Sequence, residues 1–179
     1  MGSETVRSAV PADAGLLARI GEKTFRETFA AFNTEDDMAA YLAESFGTAI
    51  QQGELAQPGT SFLILEIDGE AAGYARLSQG DPPPEKVRIP ARPESPREIV
   101  RFYVDQRWHG TGAAGLLMES CITGAERDGC DLLWLAVWEE NPRAIAFYRK
   151  WGFEVAGTKI FQLGSDLQND LVMVRRLVE

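Results

Sequence analysis

Residues 98–117, EIVRFYVDQRWHGTGAAGLL, constrain the fold more than any other stretch of the chain. A β-rich segment runs into a turn with glycines at 110 and 112 and leaves as an apolar helix. A turn that leaves a strand and enters a helix presents N–H groups without acceptors at the helix start, and the helix dipole adds positive potential there. Glycines remove the Cβ atoms that would hold a bulky ligand away, so such a turn suits an anion, above all a phosphate. Two common nucleotide cradles are excluded: there is no G-x-x-x-x-G-K-S/T, and no G-x-G-x-x-G opens the first strand–helix unit.

The rest of the chain supplies the surrounding elements. TVRSAV reads as a short strand, and Pro11 follows where the first turn of a helix tolerates a missing N–H. Leu16, Leu17, Ile20, Thr24, Phe25 and Phe29 recur at helical spacing, which predicts an amphipathic helix from about Pro11 to Phe29. Asn33 or Thr34 caps a second helix, with Met38, Tyr41, Leu42 and Phe46 as its apolar stripe and Glu35, Asp36 and Asp37 in its first turn. SFLILEI, the turn at Asp68-Gly69, and AAGYARLS form a hairpin. Between Ser78 and Arg97, DPPPEKVRIPARPESP carries six of the nine prolines, which predicts a loop and neither helix nor inner strand. A loop of that length covers a functional surface or serves as an inert linker.

Beyond the loop come the strand EIVRFYV, the helix GAAGLLMESCITGAERDG, the buried strand LLWLAVW, the helix NPRAIAFYRKWG closed by Gly152, and the strands FEVAGTKIFQL and DLVMVRRLV. Alternation of this kind predicts an α/β chain with a mixed sheet, at least one parallel pair, and helices on both faces. The final strand would serve an ordinary sheet, and it leaves open a homodimer paired along its edge.

Composition narrows the function. At 179 residues and 45% hydrophobic the chain suits one well-buried core, so residues 1–179 are expected to form a single domain. A net charge of −9 repels nucleic-acid phosphates. The start lacks an apolar run behind a basic head, and no later segment approaches the roughly 20 apolar residues of a membrane span, so the expected location is cytoplasmic. Cys121 and Cys130 lie outside any CxxC pair and read as small buried apolar residues. The single histidine, His109, cannot build a multi-histidine metal site, so no metal is expected; it is a loop residue beside the glycines or a phosphate contact.

Arg107-x-x-Gly110-x-Gly112, placed after EIVRFYV and before AAGLLMESC, resembles the acetyl-CoA-binding motif of the GNAT superfamily of N-acetyltransferases. VWEENPRAIAFYRKWGFEVAG is similar to that family's second signature, with Asn141, Tyr148, Gly152 and Phe153 at its marked positions. TFRETFAAFNTEDDMAAYL is similar, more loosely, to the N-terminal helices of the bacterial polyamine acetyltransferase branch. The resemblance implies a mostly antiparallel sheet of about seven strands whose central pair splays apart around the cofactor. It also implies acetyl-CoA as cosubstrate, bound along Arg107, Trp108, His109, Gly110, Thr111, Gly112 and Ala113 by its pyrophosphate. The main chain of Phe102, Tyr103 and Val104 would pair with the pantetheine arm, and Asn141 and Arg143 would line the far wall.

Amine acetylation then needs two more groups. An alkylammonium has a pKa of about 10.4, so a base must take its proton at neutral pH. Glu98 matches the position where some family members carry that base, with Glu27, Glu139 and Glu140 as substitutes; a surface acid at a strand end is the plainer reading. A phenol can donate to the departing thiolate, and Tyr148 is assigned that role, against simple packing with Phe147 and Trp151. Direct transfer in a ternary complex suffices, with no covalent enzyme intermediate. Glu22, Glu27, Glu35, Asp36 and Asp37 on the first two helices would steer a small cationic amine such as a polyamine, or are an ordinary solvated face. The alternatives are a peptide N-terminal acetyltransferase and a non-catalytic acetyl-CoA sensor.

Overall fold

The computed structural model describes residues 3–80, 83–84, 87–89 and 92–177. Among these residues seven strands form one sheet: β1 (Glu4–Ser8), β2 (Thr60–Ile67), β3 (Glu70–Gln79), β4 (Pro96–Val104), β5 (Leu132–Trp138), β6 (Glu154–Leu163) and β7 (Asp166–Arg176). Their order is β1-β2-β3-β4-β5-β7-β6, and only the β4–β5 pair is parallel. Among the described residues five α-helices flank it: α1 (Ala14–Phe29), α2 (Glu35–Ser45), α3 (Thr48–Leu55), α4 (Ala113–Arg127) and α5 (Pro142–Lys150). The expected sheet and its two helical layers are therefore present.

The two-residue period of the strands divides the core between the faces. Phe62, Ile64 and Tyr74 point to Leu17, Phe25, Met38 and Leu42 of α1 and α2. Leu65, Leu77, Ile99, Leu133 and Met173 point the other way, to α4 and α5. On α4 the residues Ala113, Leu117, Met118, Cys121, Ile122 and Ala125 are buried, the spacing of a single helical face. Both cysteines are free and buried, as small apolar residues would be.

Four expectations need correction. The predicted first helix divides into a 3-10 turn at Pro11–Asp13 and α1 proper from Ala14, where Asp13 accepts from the Val10 amide and pairs with Arg7. Helix α3 was not expected; its residues TAIQQGEL bury only Gln51, so they carry no apolar stripe to read. Pro96 and Arg97 belong to an inner strand, with Pro96 as its first residue, where a missing N–H removes least. Strand β7 is paired on both sides, to β5 and to β6, so its edges are not available to a second chain. Within the proline-rich loop, Val87 is buried against Leu132, Trp134 and Val172, and the Arg88 amide donates to Ala156 O, so this part packs on the β5–β7 face.

The feature that matters for function is the seam between β4 and β5. They pair at only three positions, Pro96↔Leu132, Arg97↔Leu133 and Glu98↔Trp134, and then separate. The cause is local. The β3–β4 register jumps between Arg76↔Arg101 and Leu77↔Ile99, which leaves Val100 as an extra residue in β4. A bulge bends its strand and increases its twist, so β4 turns away while β5 stays paired to β7 as far as Trp138↔Asp170. Helix α3 braces the bend: Glu54 takes both Arg101 (2.6 Å) and Arg76 (2.9 Å), and the Arg101 guanidinium lies 4.9 Å from the Phe46 ring.

Candidate active site

The splay opens a cleft of about 250 Å³. One wall is Ile99–Val104 of β4 and the other Leu135–Val137 of β5; α1 contributes Thr28 and Phe29 at one side and α5 contributes Ala144, Phe147 and Tyr148 at the other. His109, Gly110, Asn141 and Arg143 sit at the same opening. Of the residues singled out in the sequence, Phe102, Tyr103, Val104, His109, Gly110, Asn141, Arg143 and Tyr148 all meet on this one cleft.

At the glycine turn the backbone is arranged as an anion cradle. Gly110 and Gly112 have φ of 80° and 100°, a region that L side chains avoid, and a Cβ added to either would meet no atom within 4 Å. Several amides in the turn are already used: Arg107 N donates to Asp105 Oδ1, Trp108 N to Asp105 O and His109 N to Gln106 O. The N–H groups of Gly110, Gly112 and Ala114 have no acceptor among the described residues. They stand at the mouth of α4, at the positive end of its dipole, in open space that would admit a pyrophosphate.

Two side chains at the turn do something other than expected. Arg107 folds back on Asp105, with Nη2 2.8 Å from Oδ2, and Lys23 from α1 pairs with the same carboxylate. Burial would raise the Asp105 pKa, but the hydrogen bonds from Arg107 and Lys23 outweigh it and hold the carboxyl well below the usual range. His109 donates Nε2–H to Val104 O at 2.8 Å and accepts from the Arg143 guanidinium at Nδ1, which ties α5 to the end of β4. It thereby has no ring N–H left for a phosphate. Thr111 Oγ1 donates to Trp108 O and Trp108 packs on the core, so both shape the turn through structure.

Tyr148 owes its place to the end of α5. Asn141 caps the start by accepting from Ala144 N at 3.1 Å, and Pro142 follows at the first helical position. At the other end Gly152, with φ 79°, donates to Arg149 O while Phe153 N donates to Tyr148 O, the two bonds of a Schellman motif. The apolar contact that accompanies the motif is Tyr148 against Phe153, ring centroids 6.0 Å apart. The second signature is thus a device for ending a helix so that its tyrosine is packed on one side and open to the cleft on the other. Burial pushes the Tyr148 phenol well above its usual pKa, which keeps the proton on it.

Glu98 stands at the vertex of the splay, half-buried, with Ser78 and Trp134 as its strand partners. Its neighbours Arg97 and Ile99 face α4, so Glu98 faces the α1–α3 side, where an acceptor would enter. Glu27 is committed elsewhere: its carboxylate accepts from Gln106 N at 3.1 Å. Glu139 and Glu140 are exposed beyond the end of β5. Three residues here were missed in the sequence. Asp105 organises the turn, Arg101 braces the bulge, and Asp170 is a carboxylate in the inward phase of β7, buried between Gln168 and Val172. A charge in step with buried residues on a strand was a readable signal for the last of these.

The sequence pattern of the acetyltransferase (GNAT) family matches residues 22–153. An uncharacterized N-acetyltransferase of Lactobacillus delbrueckii subsp. lactis is 33% identical over 159 residues, 89% of each chain. The spermine/spermidine N(1)-acetyltransferase of Bacillus subtilis is 31% identical over 80 residues, 44% of this chain and 49% of that one. Among solved structures, the PaiA N-acetyltransferase of Thermoplasma acidophilum in complex with coenzyme A has a TM-score of 0.75 at 18% identity, over 97% of this chain and 99% of that one. With this match spanning both signatures, and with a relative similar over nearly its whole length, the chain belongs to the acetyltransferase (GNAT) family and is an acetyl-CoA-dependent N-acetyltransferase.

Proposed function

We propose that the protein moves an acetyl group from acetyl-CoA to the primary amine of a small cationic acceptor, by direct transfer with both substrates bound. The observation that carries this reading is the β4–β5 cleft, which runs from the open amides of the glycine turn to the aromatic side chains of Phe29 and Trp138. Acetyl-CoA supplies the activated acyl group. The amides of Gly110, Gly112 and Ala114 hold its pyrophosphate, and the edge of β4 at Phe102, Tyr103 and Val104, which β5 does not pair, receives the pantetheine arm. Asn141 caps the helix that carries Tyr148 and so fixes that phenol beside the cleft.

Glu98 accepts the proton of the attacking ammonium, which otherwise holds it up to a pH of about 10. The freed nitrogen bonds to the thioester carbonyl carbon, the C–S bond breaks, and the proton that the nitrogen sheds as the amide forms balances the one the departing sulfur takes up, with the Tyr148 hydroxyl hydrogen-bonded to that sulfur. The acceptor class is supported by the similarity to the Bacillus subtilis spermine/spermidine acetyltransferase.

The test is CoA release, with product masses, for spermidine, 1,4-diaminobutane, free amino acids and a peptide bearing an alanine N-terminus. Acetylation of the first two is expected. Turnover of the peptide alone would move the protein to N-terminal acetylation, and turnover of none would remove the small cationic amine as its acceptor.

A further inference from the structure

We propose that Asp170, beside Trp138 and Phe29, is the specificity residue that seats the second, non-reacting ammonium of a diamine acceptor. The inference rests on the reading of a small cationic amine and adds which end of it this chain selects.

The position follows from the register. Asp170 faces Trp138 of β5 and Lys159 of β6 as cross-strand partners. Along β5, Ala136 lies on the wall of the splay, and Asp170 is one strand over and two residues along from it, about 8 Å by strand spacing and rise. A diamine reacting at the splay reaches that far through a chain of a few methylenes.

The surroundings fit a cation. Trp138 packs at an angle against Phe29 (ring centroids 5.9 Å apart) and edge-on against Phe32 (5.0 Å), so aromatic side chains continue from the cleft to the carboxylate. Asp170 is 7% exposed, and its Oδ1 is buried with no hydrogen-bond donor among the described residues. Gln168, two residues away on the same face and also 7% exposed, has a second such acceptor in Oε1. Buried acceptors without donors are uncommon in folded proteins, and two together point to a ligand that brings N–H groups.

The charges facing Asp170 do not supply them. Lys159 extends over Trp134, its Nζ 5.8 Å from the ring centroid, and does not donate to Asp170 Oδ1. Glu139 beyond β5 and Tyr41 on α2 are the other titratable neighbours. Burial pushes the Asp170 carboxyl up to about 6, against a lowering by Lys159, and an ammonium seated beside it would favour the charged form.

The experiment compares 1,4-diaminobutane with n-butylamine, which differ only in the distal ammonium. In the wild type, KM for the diamine is expected to be lower by about tenfold or more. In Asp170→Asn that ratio falls to near one, while kcat and acetyl-CoA affinity stay within a few-fold; Asp170→Glu, which keeps the charge, retains the preference. An unchanged ratio in Asp170→Asn overturns the proposal, as does a loss shared equally with acetyl-CoA affinity. If neither amine turns over, the proposed reaction fails on its own terms. The seat is then read by titrating 1,4-diaminobutane into the CoA complex and following Trp138 fluorescence against a Trp138→Phe control. A saturable signal lost in Asp170→Asn supports the seat, and no such signal refutes it.

Discussion

Gly112→Ala separates the cradle from the fold. Gly112 has φ 100° and ψ −15°, and the added Cβ meets no atom within 4 Å, so no clash contributes and the stability cost is that of the backbone conformation alone. That cost is about 1–2 kcal/mol, or roughly 2–8 °C in Tm for a chain of this size. The methyl group points into the space above the open amides, where a pyrophosphate has to approach within hydrogen-bonding distance. Losing one hydrogen bond to a charged group removes about 1.5–3 kcal/mol, which weakens acetyl-CoA binding about 10- to 100-fold. Calorimetry with CoA reads the affinity and a melting curve reads the fold. Gly69→Ala is the control: Gly69 has φ 80° and equally open surroundings at the β2–β3 turn, so it should lose similar stability and no affinity. If Gly112→Ala melts as predicted and binds CoA as well as the wild type does, the cradle is refuted and the turn only joins a strand to a helix.

Other perturbations test the remaining parts. Tyr148→Phe should lower kcat by about 10- to 1000-fold and leave acetyl-CoA affinity unchanged, because the hydroxyl acts on charge that develops in the transition state; equal losses would mean packing. Glu54→Gln leaves Arg76 and Arg101 facing each other without their shared carboxylate and should cost about 3–5 kcal/mol in urea denaturation, and a change below about 1 kcal/mol would show that the brace at the bulge is dispensable. The pH dependence of stability tests Asp170 without any amine. Its folded pKa of about 6 lies above the unfolded value of about 3.9, so the folded state binds the proton more tightly and stability falls as pH rises between those values. Asp170→Asn should therefore be more stable than the wild type at about pH 8, by up to about 3 kcal/mol, and lose that advantage below about pH 4. Parallel curves for the two proteins would contradict the buried, unpaired carboxylate.

Local chemistry made much of this fold readable. Strand β5 is a continuous apolar run between Asp131 and Glu139, the β2–β3 turn is announced by Asp68-Gly69, and α5 by Asn141 at one end and Gly152 at the other. What escaped depends on partners distant in sequence. Helix α3 is held by Glu54 pairing with Arg101, 47 residues away, and TAIQQGEL shows no apolar stripe to betray it. The inner position of β7 follows from its two partners, which its own alternation does not name. At the site, the cradle glycines and Tyr148 were legible because their backbone requirements are written locally. The side-chain partner of His109 was not, because Arg143 lies 34 residues away, whereas Arg107 turns to Asp105 only two residues before it, a local pair that was readable. Glu98 was placed by resemblance, whereas Asp170 could have been found from its phase on the strand.

The most direct measurement is amide-resolved NMR of the ¹⁵N-labelled protein during titration with CoA. The account predicts saturable shifts at Gly110, Gly112 and Ala114 and along Phe102, Tyr103 and Val104, with β1 and the β2–β3 turn unmoved. Saturation with shifts confined to surfaces away from the β4–β5 splay, or no saturable shift at all, would contradict it.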